Sequence, residues 1–100
     1  MPTFVPRSME PYKKRELLDK RWLALRGVIN AGATAECVAS AAEKVRLAAL
    51  AVIKAQRSLL DCRLESEVLT RQLDNLQRDE ARWLSLSVES IVSQIPDADA

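Results

Sequence analysis

Between Ala33 and Ile95 the chain contains neither glycine nor proline, although both of its glycines and three of its four prolines precede that stretch. Glycine and proline are the strongest local breakers of a helix. A run this long without either, rich in Ala, Leu, Glu, Arg and Gln, is therefore expected to be helix or tightly joined helices. The fold class that follows is all-α, with no sequence pattern calling for a strand.

The residues before this run supply the rest of the architecture. Pro2, Pro6 and Pro11 make the first ten residues an extended arm rather than part of a helix. Ser8, Met9, Glu10 and Pro11 suit a helix start, with a capping hydroxyl, an acidic first turn and a proline whose missing N–H does no harm there. A first helix is expected over about 11–30. Its residues Leu18, Trp22, Leu25 and Ile29 fall at spacings of four, three and four, on one stripe, with Leu17, Ala24 and Val28 beside it. Asn30, Ala31 and Gly32 form a stop signal, and Thr34 can cap the next helix. A connection this short usually joins antiparallel neighbours.

Beyond Thr34, steps of three and four residues trace one apolar stripe: Cys37, Ala41, Val45, Ala48, Val52 and Ala55, then Leu59, Cys62, Ser66, Leu69, Leu73 and Leu76, then Glu80, Leu84, Val88, Ile91 and Ile95. The main irregularity is a set of three consecutive steps of four from Leu76 to Val88, the kind of insertion that locally unwinds a coiled coil. The stripe favours one long helix over about 34–94. Straight, it would reach roughly 90 Å at 1.5 Å per residue, too long for a chain of this size to enclose. The alternative is a hinge near residues 57–66 and a three-helix arrangement, because Ser58 and Asp61 have capping-box spacing and Asp61 or Ser66 can begin a new helix. Around Val45–Ala55, Leu47, Leu50 and Ile53 lie off the stripe, so that half is expected to be enclosed on two sides. From Arg63 to Arg82 the surface is charged around a narrow Leu69, Leu73, Leu76 seam, with Glu67–Arg71 and Asp74–Arg78 as supporting pairs.

Charge is asymmetric along the chain. Residues 1–30 carry a net +4, residues 31–60 a net +2 and residues 61–100 a net −5, for an overall charge of +1. The overall value gives no pull toward nucleic acid or an anionic surface, but opposite charges across a helix seam can orient two helices or two copies of the chain. An acidic tail is expected over 96–100, after Pro96 ends the last helix.

Candidate chemistry is sparse. Histidine is absent, which removes the commonest general base and metal ligand together with Ser-His and Cys-His nucleophiles. Cys37 and Cys62 are 25 residues apart, more than 35 Å on a single helix, and read as small buried hydrophobes rather than a metal pair or disulfide. There is no glycine-rich phosphate loop. The sequence thus points away from an enzyme, a cofactor and a small-molecule substrate. It has no secretory leader pattern in its first residues and no apolar run of membrane-spanning length, so a membrane role is not expected and the cytoplasm is the expected compartment.

What remains is recognition by helices. The seam Leu69, Leu73, Leu76, Trp83, Leu84, Val88, Ile91 and Ile95 is the candidate protein-binding surface, for a second copy of the chain or another helical protein, with Trp83 as a partly exposed anchor and Leu84–Ile95 as a helical tip. A scaffold, adaptor, chaperone or inhibitor would use such a surface. The alternative is a nucleic-acid-associated protein whose first helix contacts phosphates through Lys13, Lys14, Arg15, Lys20, Arg21 and Arg26.

Overall fold

The computed structural model describes residues 10–60 and 66–96, which form four helices: α1 (Glu10–Asn30), α2 (Ala35–Leu59), α3 (Ser66–Ser85) and the short α4 (Val88–Val92). No strand occurs among the described residues. The protein is all-α, as its composition requires. The arm before Pro11, with its Ser8 cap, lies outside the described residues apart from Glu10, as do Asp61, Cys62 and the acidic tail beyond Pro96.

The α1–α2 turn forms as its residues dictate. Gly32 adopts φ +69°, the left-handed conformation that costs glycine nothing. The Gly32 N–H donates to the Ile29 carbonyl at 3.0 Å and the Ala33 N–H to the Val28 carbonyl at 3.2 Å, a Schellman closure that satisfies carbonyls the helix end would leave bare. Thr34 then caps α2, its hydroxyl accepting from the Cys37 N–H at 3.3 Å. The chain reverses within four residues, and α1 and α2 run antiparallel: Lys14 shares a cleft with Lys54 and Ser58, and Val28 shares one with Cys37.

The core sits where this hairpin meets the returning chain. Leu25 of α1, Ala42, Val45, Ala49 and Ile53 of α2, Trp83 of α3 and Ile91 of α4 are buried together. Leu18, Trp22 and Ile29 pack against this cluster, so the first-helix stripe is the core stripe. Ala48, Val52 and Ala55 are buried as well. Leu47 departs from the expected two-sided enclosure, being 59% exposed.

The expected long helix is not continuous. It ends at Leu59; Leu60 takes φ −75° and ψ 106°, outside helical space, and its N–H donates to the Arg57 carbonyl at 3.1 Å. The hinge alternative is therefore the observed one, and the dimensions of 49 × 38 × 26 Å replace a 90 Å rod. Ser58 does not form the proposed capping box among the described residues; its hydroxyl donates back to the Ala55 carbonyl at 2.8 Å. Tertiary burial explains the break. Bending lets Trp83 and Ile91 reach the hairpin, and each fully buried side chain of this size is worth about 2–3 kcal/mol.

A second break falls inside the irregular part of the stripe. Leu86 and Ser87 leave the helix, and Ser87 caps α4 with its hydroxyl accepting from the Ser90 N–H at 3.2 Å. The spacing irregularity thus marks a capped corner rather than local unwinding. Arg46 of α2 holds this corner by donating from its guanidinium to the Leu86 carbonyl, while also pairing with Glu43 at 3.5 Å.

Candidate protein-interaction surface

Helix α3 is anchored along one stripe and open along another. Leu76 and Trp83, seven residues apart, face the core. Trp83 is 8% exposed, and its ring lies 6.1 Å from that of Trp22 at an interplanar angle of 54°, a tilted geometry favoured by aromatic quadrupoles. Arg82 covers its outer side, the guanidinium carbon 5.4 Å from the ring centroid, and donates to the Gln94 side-chain carbonyl at 3.1 Å. Trp83 is therefore a core residue, not the exposed anchor expected of it.

The candidate seam accordingly divides. Ile91 is fully buried, and Leu76, Val88 and Ile95 are partly buried against the same cluster, so these residues and Trp83 are occupied within the chain. The expected helical tip over Leu84–Ile95 folds onto the hairpin for the same reason: a five-residue helix gains its stability by burying Ile91 rather than by standing free. Leu69 is half-buried, Leu73 is 38% exposed and Leu84 is 59% exposed. Leu73 and Leu84 are eleven residues apart, three helical turns, and share a face. Glu80 lies between them and pairs with Arg57 of α2 at 3.1 Å. This exposed pair adds little energy and marks where the edge of the open stripe comes nearest α2. On the far side Asp74 and Arg78 form the expected ion pair at 3.0 Å.

The six basic residues of α1 do not gather. Lys13, Lys14, Arg15 and Lys20 are exposed, and Arg21 and Arg26 half-buried. Arg15 borders a cleft with Tyr12, Gln56 and Leu59, whereas Arg26 borders one with Trp22, Leu23 and Ile95. Lys14 and Arg21 instead meet two lysines of α2, Lys54 and Lys44, along the α1–α2 seam. The α2 lysines escaped sequence reasoning because their grouping depends on the antiparallel register of the hairpin; their ten-residue spacing on one side of α2 was the available signal.

Cys37 is exposed in the first turn of α2 as a free thiol, against the expectation of a buried hydrophobe, because it borders the open cleft beside Arg21, Val28 and Lys44 instead of facing the core. No group of three potential metal ligands forms among the described residues, and no described helix is long and apolar enough to cross a membrane. Comparison with protein-family models, with curated proteins and with solved structures gave no match.

Proposed function

We propose that this chain is a non-enzymatic, helix-mediated protein-interaction module, a small scaffold, adaptor, chaperone or inhibitor, and that α3 presents Leu69, Leu73 and Leu84 to a helix of a partner or of a second copy. The observation that carries this reading is the state of α3: only Trp83 of its twenty residues is buried, while an apolar stripe beside the anchored one stays open. Covering such a stripe with a facing helix is how a narrow leucine seam gains stability. The reading places the protein in a reducing compartment such as the cytoplasm, where an exposed Cys37 stays a thiol. Phosphate binding by α1 has less support, because its cations divide among separate clefts instead of forming one stripe.

Replacing Leu73 by a photo-cross-linking benzophenone amino acid in producing cells tests the module reading. Adducts are expected from position 73 and should vanish when Leu69→Asp is added. Cross-linking at position 73 no stronger than at Arg71, on the charged side of the helix, would count against it.

A further inference from the structure

The four helices hold the core unequally. Among the described residues, eight of the ten buried apolar side chains belong to the α1–α2 hairpin, and only Trp83 and Ile91 come from α3 and α4. Ala48, Val52 and Ala55 lie outside the cluster that contains Trp83 and Ile91. The hairpin therefore has buried surface of its own. Its turn is also held from within, by Gly32 in the left-handed conformation and by the Thr34 cap on α2.

Helices α3 and α4 have no such independence. Trp83 is the one buried residue of α3 and Ile91 the one buried residue of α4, and both are buried by joining the cluster of Leu25, Val45, Ala49 and Ile53. A helix of five residues does not hold its shape unaided. Arg82 links the two helices to each other, donating from α3 to Gln94 beyond α4 at 3.1 Å. Arg46, through the Leu86 carbonyl, and Arg57, through its exposed pair with Glu80, tie them to α2 at the edges of the apolar contact. Dependence thus runs one way: α3 and α4 are ordered on the hairpin, while part of the hairpin's burial owes nothing to them.

We infer that α3 and α4 form a cover, hinged where α2 ends, that leaves the hairpin as one unit while α1 and α2 stay folded together. Leu60, at φ −75° and ψ 106°, marks the start of the hinge. Elements with few buried contacts open at a lower free energy than the whole molecule, and α3 with α4 answers that description. Opening uncovers Leu25, Val45, Ala49 and Ile53 on the hairpin, with Trp83 and Ile91 on the cover. The closed form displays only the open stripe of α3, so the apolar surface that the chain offers depends on the position of this equilibrium. The cover does not rest on the proposed role of Leu69, Leu73 and Leu84, which stand exposed or half-buried while it is closed.

Native-state hydrogen exchange of the full chain, followed by NMR through a series of low urea concentrations, tests the cover. The amides of residues 76–83 and of Ile91 are expected to converge on one shared opening, with a smaller urea dependence than the amides of Val45, Ala49 and Val52. Val52→Ala is the discriminating variant, because Val52 is buried in the hairpin outside the shared cluster. It should speed exchange of the hairpin amides by about tenfold and leave those of α3 and α4 unchanged. Convergence of all these amides on one opening, or equal acceleration of both sets by Val52→Ala, shows a single cooperative unit and overturns the cover. Exchange in α3 that differs from residue to residue and ignores urea shows local fraying, and overturns it as well. None of these results alters cross-linking at position 73, so the cover and the interaction module fail separately.

Discussion

Trp22 of α1 and Trp83 of α3 meet with their ring centroids 6.1 Å apart, joining the first helix to the returning chain across the hairpin. Their contact accounts for the bend after α2, since a straight continuation would leave Trp83 in water. Trp83→Ala is expected to cost about 3–5 kcal/mol, at the upper end for a core truncation. Trp22→Ala should cost less, because Trp22 is only half-buried. Urea unfolding followed by circular dichroism measures both. Equal and small losses would mean that the ring pair does not hold α3 in place.

The Arg46 contact with the Leu86 carbonyl makes a second, more local prediction. Arg46→Met keeps the aliphatic stem but removes the donor to a helix-end carbonyl, so a loss of about 1–2 kcal/mol is expected. The effect should concentrate in α4. Amide exchange is the appropriate readout: the Ile91 N–H, which donates to Ser87 at 3.0 Å, should exchange faster while amides of α1 keep their protection.

The two glycines should respond in opposite directions to the same substitution. An added Cβ meets nothing within 4 Å at either position, so backbone conformation alone decides. Gly32→Ala forces a side chain into φ +69° and should destabilise by about 1 kcal/mol. Gly27→Ala, inside α1, should stabilise by about 0.5–1 kcal/mol. Thermal unfolding of the two variants gives the comparison, and a shared sign would contradict the assigned turn.

Sequence patterns resolve this molecule where the deciding forces are local. The Leu18–Trp22–Leu25–Ile29 stripe, the Gly32 stop and the Thr34 cap all depend on residues within a few turns of one another, and each appears where its pattern puts it. The end of α2 does not. Leu60 and its neighbours include no glycine or proline, and the break follows from burial of Trp83 and Ile91, some twenty-three and thirty-one positions later in the chain. Trp83 lies off the stripe that runs from Leu76 through Glu80 and Leu84, so that stripe leaves it outside the core. The seven-residue spacing of Leu76 and Trp83 identifies the core-facing side instead. Of the candidate seam, the spacing found the helix face but could not separate residues that the chain covers from Leu69, Leu73 and Leu84.

That separation can be tested within one helix. Leu76→Asp should lower stability by several kcal/mol, since it places a charge against the core, roughly as other large core truncations do or worse. Leu73→Asp should abolish association and, measured at concentrations where wild type is itself unassociated, should change the unfolding midpoint little, because its site remains wet. A large stability loss from Leu73→Asp would mean that its side chain belongs to the core.

The division of α3 into a covered and an open stripe is tested most directly by methyl NMR of leucine-labelled protein through a dilution series. On association, the methyl signals of Leu69, Leu73 and Leu84 should shift together, while Leu25 and Leu76 stay fixed. Movement of Leu25 or Leu76 with Leu69 and Leu73 unchanged would contradict the division.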